Sequence, residues 1–214
     1  MSYTRLVTST LRIGVLASHA GTTLQAILDA CAAHELAATV VTVISNNSDS
    51  GALARAARAG ARAVHLSGKT HPAPGALDAA IVQALETDGV EVVMLAGYMK
   101  KLGPQLLERY RGRILNTHPA LLPKFGGQGM YGMRVHEAVL RAGDAVSGSS
   151  VHLVDAEYDT GRVLAQVEVP VEPGDTPETL AARVQERERR LVVSVLGQIT
   201  QGELSLEGLS PRQG

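Results

Sequence analysis

Through residue 117 the chain alternates short apolar runs with amphipathic stretches. Residues 11–17 form a continuous apolar run, as expected of a strand buried on both faces. Ser18-His19-Ala20-Gly21 makes a turn, and from Thr22 the period becomes helical, with Leu24, Ile27, Leu28 and Cys31 at i, i+3, i+4 and i+7. A β-branched run at 39–45 predicts a second strand. A turn at 46–50 follows, and Asp49 or Ser50 is placed to cap an Ala-rich helix ending at Gly60. Residues 61–66 predict a weaker third strand, 77–87 a helix, 91–96 a fourth strand, 104–110 a helix opened by Pro104, and 113–117 a fifth strand. Strands that alternate with helices and read as unbroken apolar runs predict a mostly parallel α/β sheet, Rossmann-like, with helices on both faces.

The rhythm then changes. Residues 126–132 hold four glycines in seven positions, too many for the interior of an element. A helix is expected at 136–142, closed by Gly143. Strands at 147–154 and 163–169 are separated only by an acidic loop, which predicts an antiparallel addition to the sheet. Asp175-Thr176-Pro177 opens a last helix reaching about residue 199. With no internal repeat and no linker, residues 1–214 read as one domain, with 1–10 and about 203–214 as peripheral tails.

Composition narrows the function classes. The 214 residues are 45% hydrophobic but only 3% aromatic, so the core is expected to rest on Ala, Val, Leu and Ile. A formal net charge of -1 argues against a nucleic-acid partner, which needs a basic face. Cys31 is the one cysteine, so no internal disulfide or CxxC metal site can form. The first ten residues lack the apolar core of a signal peptide, and no apolar run approaches membrane-spanning length. A cytoplasmic enzyme acting on small molecules, with neither nucleic-acid nor membrane partners, is the expectation. Monomer and homodimer both stay open.

Two places carry chemistry by pattern. Gly21, Thr22 and Thr23 follow a strand and open a helix, where free amides and the helix dipole make an anion site suited to a single phosphate. Asn116 and His118 end the fifth strand just before Pro119. Side chains two apart on a strand point the same way. An amide and an imidazole therefore emerge together where open α/β sheets bind ligands. Such a pair suits acyl transfer: an amide N–H meets a developing oxyanion, and an imidazole moves protons. A carboxylate from the acidic loop at 155–161 would favour the imidazolium if it reached His118. Ser67-Gly68-Lys69-Thr70 matches the end of a Walker A loop, but Ala63 stands where that motif needs glycine, so the match is read as chance. The charged run at 185–190 reads as a solvated helix face. Metal binding by His118, His136, His152 and Asp159 fits no ligand-spacing template, and no metal is expected.

The strings Leu95-Ala96-Gly97-Tyr98-Met99, Asn116-Thr117-His118-Pro119-Ala120-Leu121-Leu122-Pro123, Ser150-Val151-His152 and Asp155-x-x-x-Asp159-x-Gly161 resemble the folate-dependent formyltransferases from Arg12 to about Gly202. The resemblance implies formyl transfer from 10-formyltetrahydrofolate, as cosubstrate, to the amine of glycinamide ribonucleotide, in purine biosynthesis. It implies Asn116, His118 and Asp159 as the catalytic trio. It implies Gly21, Thr22 and Thr23 at the substrate phosphate, and Gln185, Glu186, Arg187 and Glu188 near the ribonucleotide. It implies Met99, Lys100, Lys101, Leu102, Asp155, Ala156, Glu157 and Tyr158 along the folate cleft.

The chain departs from the family pattern at a basic folate-loop residue, where Pro74 falls, and in the longer glycine segment at 126–132. From its length, neither the extra C-terminal domain of the tRNA-directed relatives nor the extra N-terminal domain of the hydrolases is expected. The rival readings are a 10-formyltetrahydrofolate hydrolase, another folate-dependent N-formyltransferase, and a nucleotide-binding sensor without turnover.

Overall fold

The computed structural model describes residues 10–207. Seven strands form one sheet in the order β3-β2-β1-β4-β5-β6-β7. They are β1 (Leu11–Leu16), β2 (Ala38–Ser45), β3 (Arg62–His65), β4 (Val92–Leu95), β5 (Ile114–His118), β6 (Val146–Leu153) and β7 (Val163–Pro170). β1 to β5 run parallel, while β6 and β7 are antiparallel additions. This is the mixed α/β sheet expected from the change of rhythm after residue 117.

Alternation along the strands sorts side chains to two layers. Ile13, Val15, Leu115 and Val151 point to one face and pack with α1 (Thr22–Ala32), α2 (Gly51–Arg58) and α6 (Pro177–Thr200). Leu16, Val93, Leu95 and Ile114 point to the other and pack with α3 (Ala76–Thr87) and α4 (Pro104–Arg109). Tyr110 is the largest fully buried side chain. α5 (Met133–Ala142) packs beside α6 over the antiparallel end, where Val139, Val169, Leu180 and Val184 form a third cluster.

Several boundaries follow local chemistry. Ser50, not Asp49, caps α2, accepting from the Leu53 N–H. Gly143 takes a left-handed conformation (φ 69°) to close α5. Thr176 and Thr179 form a reciprocal capping box at α6, with Pro177 in its first turn. α5 begins at Met133, earlier than the expected 136, and this extra turn brings Val135 into the core. The expected tails lie largely outside the described residues. Within them, Leu206 is buried against the first core layer, so that stretch is not peripheral.

Candidate active site

The strand order reverses between β1 and β4, the position at which open α/β sheets leave a crevice at their C-terminal edge. β5 lies next to β4 and ends in the polar pair. Asn116 and His118 share the α3/α4 face with Ile114. Thr117 points the other way, toward α6, as strand alternation requires. β6 runs antiparallel beside β5 and sets His152 opposite Asn116 and Ser150 opposite His118. The Ser150 hydroxyl donates to the Ala120 carbonyl at 2.6 Å and accepts from the Leu122 N–H at 3.0 Å, which pins the turn after His118. The Leu122–Pro123 peptide in that turn is cis.

The acidic loop reaches this pair. Asp159 Oδ2 lies 3.4 Å from His118 Nδ1, and Asp159 Oδ1 lies 3.5 Å from His152 Nε2. The Gly127 N–H donates to Asp159 Oδ2 at 2.9 Å. Gly126 makes that approach possible: a Cβ there would meet the Leu122 side chain at 2.5 Å and Asp159 Cβ at 3.4 Å. The glycine segment is therefore a wall of the site that holds the carboxylate in place. His118 Nε2–H donates to the Phe125 carbonyl at 2.7 Å, an acceptor only, so that nitrogen carries a proton.

The electrostatics decide the charge at rest. Burial pushes the His118 pKa below the ordinary histidine value, and this outweighs the Asp159 carboxylate and the Phe125 carbonyl, which push it up. The Asp159 carboxylate does favour the imidazolium, but the His118 side chain is only 4% exposed and desolvation wins. For Asp159, burial acts upward. The neighbouring imidazoles and the Gly127 N–H outweigh it together and hold the carboxyl below its usual range. The pair thus rests as a neutral imidazole beside an ionised carboxylate.

On the α1/α6 face, Gly21 is left-handed (φ 73°) at the N-cap of α1, and a Cβ there would meet Ala52 Cα at 2.8 Å. Glycine is needed for both reasons. Thr23 at the start of that helix donates to Glu188 Oε1 at 3.1 Å, and Ser149 donates to Glu188 Oε2 at 3.5 Å. Thr117 also bonds Glu188. Burial raises the Glu188 pKa, against the three hydroxyls. Within the charged run only Glu188 joins this cluster. Gln185, Glu186 and Arg187 are exposed, and Glu186 pairs with Arg190 at 2.7 Å.

On the α3/α4 face, Lys100, Lys101 and Leu102 face Asp155, Ala156, Glu157, Tyr158 and Asp159 across a cleft of about 90 Å³, with Asn116 and His152 at its base. Lys101 Nζ sits 5.6 Å from the centre of the Tyr158 ring and bridges the two walls. Met99 is exposed nearby but does not line the cleft. Its N–H donates to Ser18 Oγ at 2.8 Å, tying this loop to the turn before α1. A larger cavity of about 470 Å³, between Leu121, Phe125, Val139 and Ser147, carries one rim ion pair, Lys124–Asp144, and none of these site residues. The Ser67–Thr70 stretch closes on itself in a hydroxyl-stabilised turn well before α3 begins, so it cradles no phosphate.

Thr117, Ser149 and His152 gain a place in the site only from the fold. Thr117 stands between Asn116 and His118 with its side chain on the opposite face. A Thr in a strand carries no signal of that kind. His152 is visible only once β6 is known to run antiparallel to β5 in this register. Among the described residues no group of three or more His, Cys, Asp or Glu side chains could hold a metal ion. No helix there is long and apolar enough to cross a membrane.

A mixed sheet with an Asn–His–Asp cluster at its switch point, flanked by an anion-type helix start and a cleft, is the arrangement of a group-transfer enzyme. The formyl transferase family profile matches residues 11–196, and the chain belongs to that family. Its relatives narrow the similarity further. Phosphoribosylglycinamide formyltransferase of Escherichia coli (strain K12) is 37% identical over 196 residues, covering 92% of this chain and 90% of that protein. The chloroplastic phosphoribosylglycinamide formyltransferase of Arabidopsis thaliana is 41% identical over 189 residues, covering 88% of this chain; the chain spans 65% of that longer protein. Among solved structures, glycinamide ribonucleotide transformylase 1 from Symbiobacterium toebii superposes with a TM-score of 0.86 at 40% identity, covering 94% and 92% of the two chains.

Proposed function

We propose that the protein transfers the formyl group of 10-formyltetrahydrofolate to the primary amine of glycinamide ribonucleotide, a step of purine biosynthesis. The observation that carries this reading is the convergence of Asn116, His118 and Asp159 between two subsites on opposite faces of one sheet edge. On the α1/α6 face, Gly21, Thr22 and Thr23 offer helix amides to the substrate phosphate, and Glu188 faces the ribonucleotide. On the α3/α4 face, the cleft between Lys100–Leu102 and Asp155–Tyr158 takes the folate. The two reactants then meet over β5.

The amine nitrogen attacks the formyl carbon, a C–N bond forms, and the carbonyl electron pair moves to oxygen. Asn116 donates an N–H to that oxyanion. His118, neutral at rest with its proton on Nε2, takes the proton the attacking nitrogen sheds at Nδ1, where the adjacent Asp159 carboxylate stabilises the imidazolium. A proton passes to the folate nitrogen as its bond to carbon breaks and the carbonyl re-forms. The proton that leaves is the one on Nε2, which must give up the Phe125 carbonyl before it can be donated to the folate nitrogen. Holding both reactants in attack geometry supplies much of the acceleration.

The test is His118→Ala, with the fold checked by circular dichroism and formyl transfer followed by product mass. Turnover is expected to fall by roughly 10²–10⁴. Near-normal turnover in the folded variant ends the assignment.

A further inference from the structure

His152 is buried, 2% exposed, and the trio named above does not use it. Its two ring nitrogens have unequal partners. Nδ1 lies 2.8 Å from the Leu153 carbonyl, which can only accept, so Nδ1 carries a proton. Nε2 lies 3.1 Å from Asn116 Nδ2, which can only donate. In the neutral ring Nε2 then holds a lone pair and accepts that N–H. Asp159 Oδ1, 3.5 Å from Nε2, is the competing partner: a proton on Nε2 would donate to it and lower the Asp159 carboxyl pKa. Against that, the Nδ1 proton held by the Leu153 carbonyl and the shorter Asn116 contact leave the lone pair on Nε2.

The consequence falls on Asn116. A terminal amide has two orientations, with its NH₂ and its oxygen exchanged. Only one gives an N–H to the oxyanion. With one amide hydrogen held by His152 Nε2, the second is left on the cleft side. The flipped amide would set its oxygen against the Nε2 lone pair and leave an acceptor's lone pairs beside the developing negative charge.

We propose that His152 is a positioning residue that fixes the amide of Asn116, through an Nδ1–H tautomer set by the Leu153 carbonyl, in the orientation that presents an N–H to the tetrahedral oxyanion. This rests on the formyl-transfer reading of the site. It makes β6 part of the catalytic apparatus, because the Asn116–His152 pairing comes from strand register. It also adds a constraint on the side chain at 152: that position needs a hydrogen-bond acceptor where Nε2 sits.

The experiment combines one spectrum with a mutant cycle. In the ¹⁵N-histidine-labelled full chain at pH 8, His152, assigned by its loss in a variant, is expected to show a protonated Nδ1 and a non-protonated Nε2. Kinetically, His152→Phe keeps the volume and removes the acceptor. Its kcat is expected to fall about 10²-fold, approaching the loss of an oxyanion donor, with both KM values within about threefold. His152→Gln sets an amide oxygen near the Nε2 position and is expected to recover most of kcat. Asn116→Ala with His152→Phe is expected to be no slower than Asn116→Ala alone, since the two act as one unit. A protonated Nε2 overturns the proposal. So do losses that multiply in the double variant, or a Gln variant as slow as Phe. A fully active Asn116→Ala instead removes the reading of the site itself, a separate outcome. If His152→Phe does not fold, the spectrum and the Gln variant still decide.

Discussion

His118 Nδ1 lies 3.4 Å from Asp159 Oδ2, with the histidine 4% exposed and the aspartate 10%. The contact joins β5 to the acidic loop after β6. It sets a carboxylate beside an imidazole that burial keeps neutral at rest. Asp159→Asn removes the only force from that side that favours the imidazolium. The acid limb of kcat/KM is expected below the ordinary histidine value, because activity needs neutral His118 at the start. In Asp159→Asn the limb is expected to move to still lower pH while the plateau falls by roughly 10² or more. A pH–rate profile of both proteins checks the two effects separately.

Stability should follow pH in a stated direction. Burial holds His118 and His136 below their unfolded values, so between those values the unfolded chain binds more protons than the native one. Stability therefore rises with pH across that window. It is fully present above about pH 6.5 and falls as the pH drops through the folded values. Thermal unfolding followed from pH 8 to pH 5 should show the decline beginning near pH 6.5. His136→Gln should flatten it.

Glu188 gathers hydroxyls from α1, β5 and β6. Its loss is expected to act on the ribonucleotide and not on the folate. Glu188→Ala should raise the ribonucleotide KM by roughly 10–100-fold, the range of a hydrogen bond to a charged group, with the folate KM within about twofold. Steady-state kinetics with each substrate varied in turn makes the distinction.

Gly21 meets a backbone demand and a packing demand at once. Gly21→Ala should destabilise by about 1–3 kcal/mol, from a Cβ forced against Ala52 in a left-handed conformation. That corresponds to a fall in Tm of several degrees by calorimetry, with a raised ribonucleotide KM.

Much of this was legible in the chain because it depends on local periodicity. The apolar runs of β1, β2, β4 and β5, the Gly143 stop and the Thr176–Pro177 start each follow from residues within a few positions. Asn116 and His118 were legible for the same reason, being two apart at the end of one strand. Contacts that depend on register or long reach were not. Glu188 meets Thr23 across 165 positions and looks like part of a solvated face in the sequence. The charge on His118 is not legible in the sequence, because composition displays the carboxylate but not the burial that outweighs it. The need for glycine at 126 is likewise invisible in the sequence, because it comes from Leu122 and Asp159 packed against that position.

The central claim is that the formyl group goes to the ribonucleotide amine. The direct measurement is consumption of 10-formyltetrahydrofolate by the purified chain with and without glycinamide ribonucleotide. The account expects rapid consumption with the ribonucleotide, one formylated product per folate consumed, and negligible consumption without it. Equal consumption in its absence, with free formate as product, would contradict the account and mark the protein as a hydrolase.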